Sequence, residues 1–321
     1  MSAAQATPTL PQLSGPIFLT DGGLETTLVF LEGIDLPDFA AFPLLDDDDG
    51  RAALERYFAC YLDIAERYEL GFVLDTATWR ANGDWGARLG YDAGQLGGVN
   101  ERAVVHAHGL AGMRPGVRTV IDGVIGPRGD GYVIDLTMGP DEAAEYHSLQ
   151  TEAFARAGAD MVTAVTMTYV DEAIGITRAA AAAGLPVVIS FTAETDGRLP
   201  SGATIGDAIE AVDRATDAGP AYYMVNCAHP THFAAALPGG ESSHRIKAIR
   251  ANASRMSHAE LDAAEVLDRG DPDDLADHYR HLDGVLPELR VVGGCCGTDH
   301  AHIAAIAGAL TARRGPTNLA P

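Results

Sequence analysis

The chain has 321 residues, 47% of them hydrophobic, and a formal net charge of −23. That is ample apolar material for a large core. No run approaches the roughly 18 apolar residues of a membrane span, and acidity without a basic patch argues against nucleic-acid binding. The first ten residues lack the basic-then-apolar pattern of a signal peptide. With only four cysteines, the expectation is a cytoplasmic protein whose thiols serve a metal or catalysis rather than a disulfide framework.

Residues 1–15, rich in Pro, Ser, Ala and Thr, read as a flexible N-terminal arm. Residues 17–20 form a first short buried strand that ends at Asp21-Gly22-Gly23, a turn whose backbone can approach a ligand closely. The run Asp46-Asp47-Asp48-Asp49 lacks the spaced ligands of a calcium loop and reads as a solvated surface loop. Leu54, Tyr57, Phe58, Tyr61, Ala65 and Tyr68 then recur at helical spacing over 51–69, with Cys60 in the same pattern as a structural residue. Further strands are predicted at 72–76, 119–125, 161–166, 186–192, 222–226, 246–250 and 289–292. Helical patterns over 97–112, 141–157, 171–183, 204–218, 231–237, 272–282 and 299–312 separate them.

Eight short apolar strands alternating with helices indicate parallel βαβ units. They predict one α/β domain over 16–313, a (β/α)8 barrel of the TIM type, with 314–321 as a C-terminal tail. An open doubly wound sheet is the alternative. In such a barrel the chemistry sits at the C-terminal ends of the strands. Asp21, Thr76, Cys227, Cys295 and Cys296 all fall there.

The sulfur residues carry the strongest signal. Tyr222-Tyr223-Met224-Val225-Asn226-Cys227 and Val291-Val292-Gly293-Gly294-Cys295-Cys296-Gly297-Thr298 are two apolar strand runs that end in cysteine. Neighbouring residues in a strand point to opposite faces, so Cys295 and Cys296 reach one metal only once the strand has ended. Gly293, Gly294 and Gly297 permit that turn. Three thiolates around zinc leave one position for a substrate. A thiol entering there loses its proton, and all-sulfur ligation makes it electron-rich and loosely held, ready to attack a methyl group. The alternative is a closed structural site, with His229 as fourth ligand, or a disulfide between Cys295 and Cys296, which leaves Cys227 without a role. The pairs His106/His108 and His300/His302 lie in helical patterns, where i,i+2 residues do not share a face. Surface or capping roles are expected for them.

Val225-Asn226-Cys227-Ala228-His229-Pro230 and Gly293-Gly294-Cys295-Cys296-Gly297-Thr298 resemble the zinc-binding motifs of the homocysteine S-methyltransferase family. Asp21-Gly22-Gly23 is similar to its N-terminal D-G-G/A, Thr76-Ala77-Thr78-Trp79-Arg80-Ala81-Asn82 to its T-x-T-F-x-A-S/N segment, and Ile125-Gly126-Pro127 to its I-G-P. His302-Ile303 follows at the family's usual distance, and the resemblance runs from 21 to 307. It implies a (β/α)8 barrel in which Cys227, Cys295 and Cys296 bind Zn2+ and homocysteine sulfur is the exchangeable fourth ligand. Asp21 would hold the substrate ammonium, with Gly22, Gly23 and Thr76 lining the pocket and Asn226 beside the metal. One position departs: the family commonly has Glu-Thr at the end of strand 4, where this chain has Val165-Thr166. Either Asp75 or Glu194 replaces that carboxylate, or the acceptor is a different thiol.

The resemblance implies zinc-dependent methyl transfer from a small onium donor, of the S-methylmethionine or S-adenosylmethionine type, to homocysteine, giving methionine as in methionine biosynthesis. A barrel with only a structural zinc is the non-catalytic alternative. The expected partners are the small-molecule thiol and the methyl donor, with no nucleic acid and no membrane; a homo-oligomer is compatible with the sequence.

Overall fold

The structure, a computed structural model, describes residues 10–314. Eight parallel strands close into a barrel in sequence order: β1 Phe18–Leu19, β2 Gly71–Asp75, β3 Thr119–Ile125, β4 Met161–Met167, β5 Val187–Thr192, β6 Tyr222–Asn226, β7 Ile246–Ala251 and β8 Val291–Gly294. The pairing of β1 with β8 completes the ring and rules out the open sheet. The fold is the predicted (β/α)8 barrel. Outside it lie α1 Asp48–Arg67, α2 Ala93–Gly112, α3 Pro140–Ala157, α4 Val170–Ala183, α5 Ile205–Thr216, α6 Pro272–Val285 and α7 His300–Arg314. Between β6 and β7 the helices are short: Pro230–Phe233, continued by the 3-10 turn Ala234–Ala236 across the expected helix 231–237, and Glu241–Arg245. No helix among the described residues is long and apolar enough to cross a membrane.

Side-chain alternation sorts each strand into an inner and an outer row. Phe18, Val73, Val120, Met161, Val188, Tyr222, Ala248 and Val291 form one buried cluster inside the barrel. Their neighbours, such as Leu19, Phe72, Ile121, Val162, Ile189 and Tyr223, pack in a second cluster that extends to the helices. The inner row becomes polar toward the C-terminal ends: Val73 gives way to Asp75, Val120 to Asp122, Met224 to Asn226 and Ala248 to Arg250. This polar layer is the floor of the site.

Two expectations need correction. Residues 1–9 of the expected arm lie outside the described residues, but residues 10–13 are not loose. Leu10 packs onto the inner cluster. Gln12 is fully buried and donates to Tyr222 Oη at 3.3 Å and to Met161 Sδ at 3.0 Å, closing the N-terminal end of the barrel. The aspartate run is exposed, as expected, but it starts a helix rather than forming a loop. Asp47 caps α1 by accepting from the Gly50 amide at 2.7 Å, and Asp46 pairs with Arg102 at 2.5 Å. Carboxylates at a helix start are held by its unpaired amides and its dipole. Of the expected tail, Arg314 ends α7, and residues 315–321 lie outside the described residues.

Candidate metal centre and substrate cavity

β6 ends at Asn226 and β8 at Gly294, so all three cysteines sit just past strand ends. Cys227 takes a left-handed backbone conformation, with φ +54°. That is uncommon outside glycine and clusters at functional sites. Its carbonyl is pinned by Asn252 Nδ2 at 3.0 Å and His258 Nε2 at 2.5 Å. The Cys295–Thr298 turn is held against the turn after β1: the Gly23 amide donates to the Thr298 carbonyl at 3.0 Å. A Cβ on Gly22 would stand 2.7 Å from that carbonyl oxygen, and one on Gly23 2.7 Å from the Cys295 oxygen. The two glycines are therefore what lets Asp21 and the cysteine turn share one rim.

The ligand-bearing sulfurs of Cys227, Cys295 and Cys296 all lie within 4.8 Å of one another. Cys227 and Cys295 are joined as a disulfide, with Cα atoms 5.4 Å apart, and Cys296 is free. The expected alternative pairing, Cys295 with Cys296, is not the one formed. Once reduced, three soft sulfur donors converging from two strand ends fit a single zinc-type ion. No histidine or carboxylate completes the group among the described residues. His229, the residue considered for closing it, belongs to a separate group with Asp274 and His278. Its Nδ1 accepts from the Thr231 amide at 3.3 Å and caps the turn Pro230–Phe233. The Tyr132 hydroxyl reaches the site instead, 3.5 Å from Cys227 Sγ and 3.7 Å from Cys296 Sγ. Its ring packs on His258 at 4.4 Å. Cys60 is remote; burial pushes its thiol up to about 11, which leaves it inert.

Beside the sulfurs lies a cavity of about 800 Å³, lined among others by Asp21, Gly22, Gly23, Thr76, Asn226 and the three cysteines. All the substrate-contact candidates from the sequence thus face one space. Asp21 is 2% exposed; Tyr57 Oη donates to Oδ2 at 2.9 Å, and Arg250 Nη2 to Oδ1 at 2.5 Å. Burial pushes its carboxyl up to about 7, against the opposing pull of Arg250. Arg250 also pairs with Asp75 and donates Nε to the Gly294 carbonyl at 3.0 Å. Asp122 lies next to Asp75; burial and that neighbour raise its carboxyl well above the ordinary range, while Thr163 donates to it at 2.5 Å. The Asn226 amide oxygen accepts from Ser190 Oγ at 2.5 Å and the Thr166 amide at 3.1 Å. The Thr76 hydroxyl is committed to Thr78 Oγ1 at 2.7 Å and the Val124 amide at 2.9 Å. Thr76 therefore contributes a wall rather than a free donor.

Val165, at the same rim, is buried and apolar. Neither acid considered as its replacement is free: Asp75 is held by Arg250, and Glu194 faces His258 Nδ1 at 3.2 Å. Arg250, Tyr132, His258, Glu25 and Arg80 line the cavity but carry no sequence signature. Only the rule that barrel sites sit at strand ends would have drawn attention to Arg250. His302, of the second H-x-H pair, has the expected capping role at α7, receiving the Asp299 amide at 3.2 Å, although it is fully buried.

The family model for homocysteine S-methyltransferase matches residues 18–310. Among solved structures, the homocysteine methyltransferase MmuM from Escherichia coli is similar over nearly its full length. Its oxidised form gives a TM-score of 0.71 at 21% identity, covering 92% of this chain and 96% of that one. Its metallated form gives the same score and identity, with 91% and 96% covered. No curated protein sequence matches the chain.

Proposed function

The chain is a methyltransferase of the homocysteine S-methyltransferase family, and from that premise we propose that it moves a methyl group from a small onium donor to the thiolate of homocysteine, giving methionine, with zinc held by Cys227, Cys295 and Cys296. The observation that carries this reading is the convergence of those three sulfurs without a fourth protein ligand among the described residues. Zinc bound there would lower the pKa of the acceptor thiol, so that it is a thiolate at neutral pH.

The protein's own residues supply positioning. Asp21 receives the acceptor ammonium, the Gly22-Gly23 backbone and Thr76 shape the pocket, and Asn226, fixed by Ser190 and Thr166, steadies the segment that carries Cys227. Rigid placement of both reactants is itself worth a large share of the barrier. The cavity volume, about 800 Å³, suits an acceptor together with a small donor. Acidic side chains outnumber basic ones along its walls, a setting that favours a cation. Loss of the methyl group then discharges the donor. S-methylmethionine and S-adenosylmethionine fit this better than betaine.

The E. coli relative is known in oxidised and metallated forms, and we propose the same two states here: a disulfide that must be reduced, and a loaded centre. Three free thiols persist best in the reducing cytoplasm, where we place the enzyme, with residues 16–313 as its single catalytic domain. Val165 supports a second reading, in which the acceptor is another thiol.

Reduced, zinc-loaded protein should form methionine from L-homocysteine with at least one onium donor and release about one proton per homocysteine bound, counted by calorimetry in two buffers. Methylation of simple thiols at rates equal to homocysteine would support the second reading. Binding without proton release would sink both.

A further inference from the structure

The cavity beside the cysteines holds more ionisable side chains than the sulfur chemistry uses, and most of the buried ones are already paired. Asp21 and Asp75 share Arg250. Half-buried Glu194 faces His258, half-buried Asp130 accepts from the Tyr132 and Val133 amides at 2.8 and 3.0 Å, and Asp262 and Asp268 are exposed. Glu25 and Arg80, both half-buried, have no charged contact partner among the described residues.

Glu25 sits in the short helix Leu24–Thr26, directly after the Asp21-Gly22-Gly23 turn, and lines the cavity. Its side chain makes no ion pair and no hydrogen bond to another side chain among the described residues. Burial raises its carboxyl, and its charge in turn acts on Asp21, Tyr132 and Cys296. It shares the cavity wall with the β1 turn and the cysteines.

Arg80 lies in the loop after β2. Its guanidinium is held over the indoles of Trp79 and Trp85, 4.6 and 3.7 Å from the ring centres. Nη1 donates to the Asp38 carbonyl, but no carboxylate lies within ion-pair distance among the described residues, and the buried Nε has no acceptor. Of the surrounding charges, Arg80 acts most strongly on Glu25, yet the two do not touch. Among the carboxylates around Arg80, Asp130 acts most strongly on it and Glu25 next, but neither touches it, so an anion and a cation without a charged contact partner face a shared cavity. Half-buried charges left this way bear part of the desolvation cost without a direct partner. A ligand carrying an ammonium and a carboxylate on one carbon would satisfy both. A guanidinium fixed in place by stacking is well suited to take a carboxylate on two donors.

We infer that Glu25 and Arg80 form the receptor for the α-amino-acid end of the thiol acceptor: Glu25, with Asp21, takes the ammonium, and Arg80 takes the carboxylate. The inference rests on the reading that the acceptor thiol enters the three-cysteine centre. It gives the acidic role left vacant by Val165 to a half-buried cavity carboxylate whose side chain makes no hydrogen bond or ion pair to another side chain among the described residues.

The test is calorimetric binding to the reduced, zinc-loaded full chain of L-homocysteine, 3-mercaptopropylamine (no carboxylate) and 4-mercaptobutyrate (no ammonium). Glu25→Gln should weaken homocysteine and 3-mercaptopropylamine about 10- to 100-fold and leave 4-mercaptobutyrate nearly unchanged. Arg80→Met should weaken homocysteine and 4-mercaptobutyrate and spare the amine. Zinc content and melting temperature should stay at wild-type values in both. If either variant loses zinc or melts early, Glu25→Asp and Arg80→Lys are measured instead, and each should show a smaller version of the same selective loss. Equal weakening of all three ligands, or none, overturns the receptor while leaving the methyltransferase reading intact. Wild-type protein that binds none of the three thiols overturns both together.

Discussion

The site has two halves that differ in chemistry and in origin. The sulfur half is built from the ends of β6 and β8, which carry the three cysteines, with the Tyr132 hydroxyl reaching in from the loop after β3. The ionic half is built from β1, β2, β3 and β7. There Arg250 lies between Asp21 and Asp75, with Asp122 behind them. The sulfur half needs an outside partner to be complete. The ionic half is largely satisfied by itself: Asp21 and Asp75 share Arg250, and burial and Asp75 push Asp122 toward its neutral form. The first should therefore govern chemistry and the second stability and orientation.

The sharpest way to break this contrast is to take a sulfur away. Cys296→Ser should lower zinc affinity by more than the roughly 10- to 100-fold that loss of a merely supporting residue costs, with little change in urea midpoint; metal analysis and denaturation together check it. The counterpart on the ionic side is Arg250→Met. It leaves Asp21 and Asp75 without their cation and should cost about 3–5 kcal/mol of stability, read by chemical denaturation. Adding Asp75→Asn should recover part of that loss. A stable Arg250→Met protein would mean that the ionic half is not a charge cluster at all.

A smaller effect appears in pH dependence. The Asp21 carboxyl is pushed up to about 7, so below that pH it carries a proton and cannot pair with an ammonium. The ratio of homocysteine to 4-mercaptobutyrate affinity should rise with pH, by at most about tenfold per unit, and level off above about 7. Taking the ratio cancels the proton lost by the thiol itself. The smallest effect is expected from Tyr132→Phe. Removing one neutral hydroxyl beside Cys227 and Cys296 should weaken homocysteine binding only a few-fold, in line with about 1 kcal/mol for one hydrogen bond.

The same contrast explains what could be read in the sequence. The sulfur half was legible because each cysteine stands at the end of an apolar run, with glycines around Cys295 and Cys296. The barrel was legible because every strand run alternates with a helical one. The ionic half was not, since its bonds join residues 229 and 175 positions apart and exist only once β1 has met β8. Arg250 looks like any charged residue at the end of a weak strand. Glu25 and Arg80 sit in otherwise recognisable segments, and nothing local tells that their neighbours leave them unpaired. The expected looseness of residues 10–13 failed for a related reason: a stretch rich in Pro, Ser, Ala and Thr reads as a loose arm until the barrel offers Leu10 and Gln12 its open end.

The measurement that bears most directly on the central claim is zinc X-ray absorption on the reduced, loaded protein, before and after L-homocysteine. The account predicts three sulfur neighbours and one lighter atom, changing to four sulfurs when homocysteine binds. A coordination shell that stays the same on adding homocysteine, with a histidine nitrogen in the fourth position, would contradict it.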